Sequence, residues 1–188
     1  MSIHSSCNEI STDINSSIES KINESLLNKI NLIFKVVLEE NKKLQNYSDK
    51  IMSQKNMSFY SNYIPSISIK NYLFRILNYT EIEDNTIIIA LIYIDRICEM
   101  AKIILTPYNI HKIIFTAILL AIKYNEDIIF NFEYYSKIAG ISIKEIQILE
   151  KDFSILLRFK FFVSKEHFEK YKLYIDNIDD EEENSKKI

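Results

Sequence analysis

Residues 84–101 read DNTIIIALIYIDRICEMA, and residues 106–125 read TPYNIHKIIFTAILLAIKYN. In the first, Ile87, Ile88, Ile89, Leu91, Ile92, Ile94 and Ile97 leave no polar face on a helix. A helix that is apolar all round must be covered by neighbours on every side. The continuous apolar runs, Thr86–Ile94 and Ile113–Ile122, fall short of the roughly 20 residues that a membrane-spanning helix needs. Two buried helices at the centre of a helical cluster satisfy both constraints, and nothing here points to a membrane.

The flanking sequence supplies the cover. Ser66 and Ser68 offer caps for a helix running to about Tyr79, and Pro65 keeps the preceding Phe59–Ile69 stretch extended. Asp84 or Asn85 is the expected cap of the apolar helix that follows. Thr106-Pro107 reads as the start of the next, with Pro where its missing N–H costs nothing. A short helix is expected over Phe132–Ala139, ended by Gly140 in the left-handed conformation. Ser142 and Glu145 then form a capping box for a helix carrying Ile146, Leu149 and Phe153 on one face. Ser164 caps a last helix to about Tyr174. On the N-terminal side, Leu26, Ile30, Ile33 and Val37 mark one face of a helix from Ile22 to about Gln45, and a polar connector follows.

The fold class is therefore all-α: a single box of five helices with an extra N-terminal helix and a short C-terminal one. Composition agrees. One Gly and two Pro among 188 residues compare with about 13 and 9 at average usage, too few for the turns of a sandwich or barrel. A single Gly also excludes a Gly-rich phosphate loop. With 47% hydrophobic residues the chain can bury a sizeable core in one domain. The organisation reads as a disordered Ser-rich N-terminus at 1–20, a helix and connector at 21–58, the five-helix box at 59–163, the C-terminal helix at 164–175 and an acidic tail at 176–188.

The net charge of −3 sits at the ends: residues 1–20 carry −3 and residues 176–188 carry −4, which leaves +4 for 21–175. So mild a balance, without a clustered basic face, argues against a nucleic-acid partner. His4, His111 and His167 show no metal-ligand spacing, and no acid/base couple or cofactor motif stands out. An enzyme is not expected, nor a cofactor or metal. Cys7 and Cys98 give no disulfide framework, and Met1–Ser20 lacks the features of a secretory signal. An intracellular protein, in the cytoplasm or the nucleus, is the expectation, the nuclear share being implied only by the resemblance given next.

Four charged sites interrupt apolar helices: Arg75, Asp95-Arg96, Lys123 and Glu150. Each must pair, reach water or face a partner, because unpaired burial is costly. These residues also carry a family resemblance. Phe59-Tyr60 with Ile64-Pro65-Ser66-Ile67-Ser68 and Tyr72-Leu73-Phe74-Arg75-Ile76; Ala90-Leu91-Ile92-Tyr93-Ile94-Asp95-Arg96-Ile97; His111-Lys112 with Ala121 to Asp127; and Tyr134 to Ser142 through Leu149 to Phe153 together resemble a cyclin box of the P-type or U-type group. Phe161-Phe162-Val163-Ser164 and Tyr171 extend the likeness.

The resemblance implies a five-helix box and a regulatory subunit that binds and activates a cyclin-dependent protein kinase without catalysing anything itself. It implies a structural ion pair between Arg75 and Asp95. It implies that Lys123 and Glu150 hold the kinase by bonding backbone groups near its regulatory helix, a role that suits an ammonium donor and a carboxylate acceptor. A cyclin-fold adaptor that binds another protein or nucleic acid in transcription is the alternative, since a fold alone does not set function. The chain departs from the family in having no Trp, Ala139-Gly140 in place of a double glycine, and His111-Lys112 in place of His-Arg. The first puts Trp-lined substrate docking in doubt, and the last weakens any bidentate contact at that position.

Overall fold

The computed structural model describes residues 23–178; the Ser-rich N-terminus, with His4 and Cys7, and all but the first residues of the acidic tail lie outside them. The described residues form eight helices: α1 (Glu24–Lys42), α2 (Tyr47–Gln54), α3 (Ile69–Thr80), α4 (Asp84–Ala101), α5 (Ile110–Asn125), α6 (Phe132–Ala139), α7 (Ile143–Leu156) and α8 (Lys165–Asp176). Among the described residues there is no strand. The expected five helices are α3–α7, with α1 before and α8 after. The polar connector contains α2, whose sequence YSDKIMSQ has no apolar stripe to announce it. Its buried residue is Gln54, whose side chain reaches the Lys50 carbonyl and accepts from Asn109.

Short-range chemistry sets most boundaries. Ser68, Ser142 and Ser164 accept from the backbone N–H groups of Asn71, Glu145 and His167, as N-caps should. Gly140 sits at φ 72°, and its N–H donates to the Ser136 carbonyl, closing α6. Two expected starts are different. α5 begins at Ile110, not at Thr106-Pro107, because the Asn109 side chain closes a separate turn there. Asn109 Oδ1 accepts from the Thr106 N–H at 2.8 Å and its Nδ2 donates to the Ile104 carbonyl at 2.9 Å.

The second difference is the start of α4. Neither Asp84 nor Asn85 is its N-cap; that position is Glu83, and its side chain makes no cap bond. The cap comes from another helix. Glu126, the residue that ends α5, accepts from the Thr86 hydroxyl and from the Glu83 N–H at 3.3 Å. A carboxylate there suits the positive end of α4. It also shows that α4 and α5 run antiparallel, with the end of one pinned to the start of the other.

α5 is the centre. All its residues from Ile110 to Ile122 except Lys112 are buried. α4, α7 and α3 pack around it, α6 lies against α7 and α3, and α1 and α8 close the outside. The extended segment before α3 joins the core through Phe59, whose ring meets Phe153 edge-on with centroids 5.9 Å apart. Removal of the Glu126 carboxylate, as in Glu126→Ala, is expected to cost about 1–2 kcal/mol in urea unfolding. Combined with Thr86→Val the losses should be less than additive, because both changes remove one interaction. Full additivity would show that the cap does not form.

Candidate functional site

Lys123 lies in the last turn of α5 and Glu150 in the middle of α7, two helices that pack directly. Lys123 Nζ meets Glu150 Oε1 at 2.6 Å, and the side chains are 27% and 23% exposed. The ammonium also stands 4.3 Å from the centre of the Phe132 ring at the start of α6. Both groups keep capacity: two further N–H donors on Lys123 and a second oxygen on Glu150. The fold thus assembles a half-buried ion pair with spare donors and acceptors at its surface.

Apolar side chains border it. Tyr124, Ile155 and Phe159 are 54%, 50% and 67% exposed. An open groove of about 400 Å³ runs along α7, lined by Gln147, Glu150, Lys151, Ser154, Ile155 and Phe159. The placement of Phe159 has a local cause. Arg158 and Phe159 both adopt left-handed backbone, at φ 52° and 56°. The Phe159 N–H bonds the Ser154 carbonyl and the Arg158 N–H bonds that of Ile155, each at 2.9 Å. This is the Schellman ending that usually uses Gly. Two side-chain-bearing residues in this conformation cost about 1–3 kcal/mol each. The strain turns the Phe159 ring outward beside Glu150.

The expected ion pair between Arg75 and Asp95 is not formed. The Arg75 guanidinium lies 5.1 Å from the Tyr72 ring centre and reaches the Ala139 carbonyl at 3.5 Å. Asp95 instead accepts from the Tyr171 hydroxyl at 2.7 Å. The packing explains it: α3 rests on α1, α5 and α6, whereas this face of α4 meets α8. The two charges serve different seams.

His111-Lys112, which stands where the family has His-Arg, anchors the segment that leads into α3. His111 Nε2 lies 3.0 Å from the Ile67 carbonyl, so Nε2 carries the proton and donates. Lys112 Nζ pairs with Glu145 at 2.9 Å and reaches the carbonyls of Ser58 and Tyr60, both at 3.4 Å. Glu145 therefore spends its carboxylate on Lys112, and only half of the expected capping box, the Ser142 bond to the Glu145 N–H, is formed. The signal for this cluster was the spacing of Lys112 and Glu145 on two helices, which no local pattern reveals. Cys98 is half-buried, its thiol pushed up to about 12 by removal from water and then by the nearby Asp95.

Two outcomes test these assignments. Burial holds His111 below its ordinary range, and the charge of Arg75 adds to this. The neutral ring is thus favoured by folding. Its contribution should be complete above the unfolded value of about 6.5 and decline as pH falls below it. Thermal unfolding between pH 5 and 8 should show a steeper acid loss for the native chain than for His111→Gln; equal slopes would contradict it. A double-mutant cycle on Arg75→Ala and Asp95→Ala should give a coupling below about 0.5 kcal/mol. A coupling of several kcal/mol would restore the ion pair.

No helix among the described residues is long and apolar enough to cross a membrane, and among them no cluster of His, Cys, Asp or Glu could hold a metal. Comparison with protein families matches residues 7–161 to Cyclin. Cyclin-U4-3 of Arabidopsis thaliana is 34% identical over 156 residues, 82% of this chain and 68% of that protein. Cyclin-P3-1 of Oryza sativa subsp. japonica is 30% identical over 162 residues, 84% of this chain and 68% of that protein. PHO85 cyclin-7 of Saccharomyces cerevisiae is 31% identical over 127 residues, 61% of this chain and 45% of that protein. The all-helical box and a match spanning most of its length lead to one family: the chain belongs to the cyclins, in their P/U-type group.

Proposed function

We propose that this cyclin holds its kinase through the surface centred on Lys123 and Glu150. A cyclin is the regulatory partner of a cyclin-dependent kinase, and cyclins as a family are non-catalytic. The finer reading is that this chain performs no chemistry and that activation is a population shift. It binds the kinase conformer in which the glutamate of the regulatory helix meets the catalytic lysine, and so favours that conformer.

The preformed Lys123–Glu150 pair carries the reading. A half-buried ion pair is near break-even for folding alone. Here it keeps spare hydrogen-bonding capacity and is bordered by exposed Tyr124, Ile155 and Phe159. Polar groups set among large apolar side chains are what an interface centre needs. The backbone of a partner helix end could accept from Lys123 and donate to Glu150 at once.

The test is affinity capture from native cell extract with the native chain and with the Lys123→Ala/Glu150→Ala variant, followed by mass spectrometry and a protein-kinase assay. A kinase should be recovered with the first and lost with the second. With that kinase purified, either single substitution should weaken binding by about 2–5 kcal/mol while cooperative unfolding persists. Unchanged affinity in both variants would overturn the assigned contact. Recovery of transcription components or nucleic acid, with no kinase, would favour the adaptor reading.

A further inference from the structure

Asp95, which the resemblance pairs with Arg75, stands instead at the wall of a cavity. About 130 Å³ of space lies between α1, α4 and α8. Its walls are apolar: Ile33, Phe34 and Val37 of α1, Leu91 and Ile94 of α4, and Leu105 of the connector that follows. The volume is close to that of a cavity of about 150 Å³ that admits benzene when its lining is apolar.

The polar groups at this cavity are few, and most are spent. Asn41 donates to the Leu105 carbonyl at 3.0 Å. Tyr171 donates to Asp95 Oδ2 at 2.7 Å. Cys98 is a neutral thiol at physiological pH. Asp95 keeps a second oxygen, and among the described residues no Lys or Arg forms an ion pair with it. Burial pushes the Asp95 carboxyl above the usual carboxylate range; the Tyr171 hydroxyl and His167 oppose this and Glu99 adds to it, so a cation seated beside it would relieve the cost of its ionised form. An apolar pit with one carboxylate on its rim selects a particular chemistry. The pit rewards a compact hydrocarbon body, and the carboxylate rewards a cation placed beside it.

We propose that the cavity between α1, α4 and α8 is a binding site for a compact organic amine, its apolar body no larger than a benzyl group and its ammonium on Asp95. The site lies among helices other than α5 and α7, which carry the Lys123–Glu150 surface, and does not depend on that surface's role.

Benzylamine, a cation at neutral pH, and benzyl alcohol, its neutral isostere, are the probes. Each is titrated into the full chain up to millimolar concentrations, with binding followed by amide chemical shifts in NMR and by the thermal midpoint. Benzylamine should shift the amides of α1, α4 and α8 saturably and raise the midpoint, and benzyl alcohol should bind about tenfold more weakly. Asp95→Asn keeps an acceptor for Tyr171 and removes the charge, so it should abolish the preference for the amine. Cys98→Leu fills the cavity and should remove both probes while the chain still folds. Absence of saturable benzylamine binding, equal binding of the two probes, an unchanged preference in Asp95→Asn, or full binding by Cys98→Leu would each overturn the proposal.

Discussion

A helix buried on every side offers the surface only its ends, and α5 is such a helix. Its middle, from Ile113 to Ile122, is given wholly to packing. Its polar chemistry is accordingly pressed into the first and last turns. At the start, His111 and Lys112 catch the carbonyls of Ile67, Ser58 and Tyr60 and so fix the segment that leads into α3. At the end, Lys123 reaches Glu150 and Glu126 caps α4. Glu126 lies three positions after Lys123, about one helical turn. The contact that locks the α4–α5 pair therefore also fixes where the Lys123 ammonium stands. Core, framework and candidate interface hang on one helix.

The caps explain how much of this could be read from sequence. A serine that accepts from a backbone N–H three residues on, or a glycine at positive φ, acts within one turn of chain. Ser68, Ser142, Ser164 and Gly140 were therefore legible without any tertiary knowledge. Where the deciding partner is distant, the local pattern misleads. Glu83 opens α4 without a cap of its own because Glu126, forty-three residues away, supplies it. α2 has no stripe because it is held by Gln54 and Asn109 rather than by apolar burial.

The candidate site divides along the same line. Lys123 and Glu150 stood out as charge set in apolar helices and through the family likeness, and the structure brings the two side chains together. The same reasoning joined Arg75 to Asp95, which the structure separates. The difference is packing: α5 and α7 share a long contact, whereas α3 and the outer face of α4 look toward different neighbours. Charges in apolar helices show that partners are required; only the arrangement of helices shows which.

The energetics of the Lys123–Glu150 surface have a direction. An ion pair more exposed than this would be screened and add little to a complex. One fully buried would need its partners within the fold and have nothing left to offer. At about a quarter exposure the pair is held by α5, α7 and the Phe132 ring yet keeps open donors and an acceptor. Phe159, whose backbone is set by the left-handed ending of α7, lines the same groove as Glu150. Polar groups already aligned lower the reorganisation that the proposed association would require. Under the proposed conformer selection such prealignment has a purpose, since a surface that adapted to either conformer of the partner would shift neither.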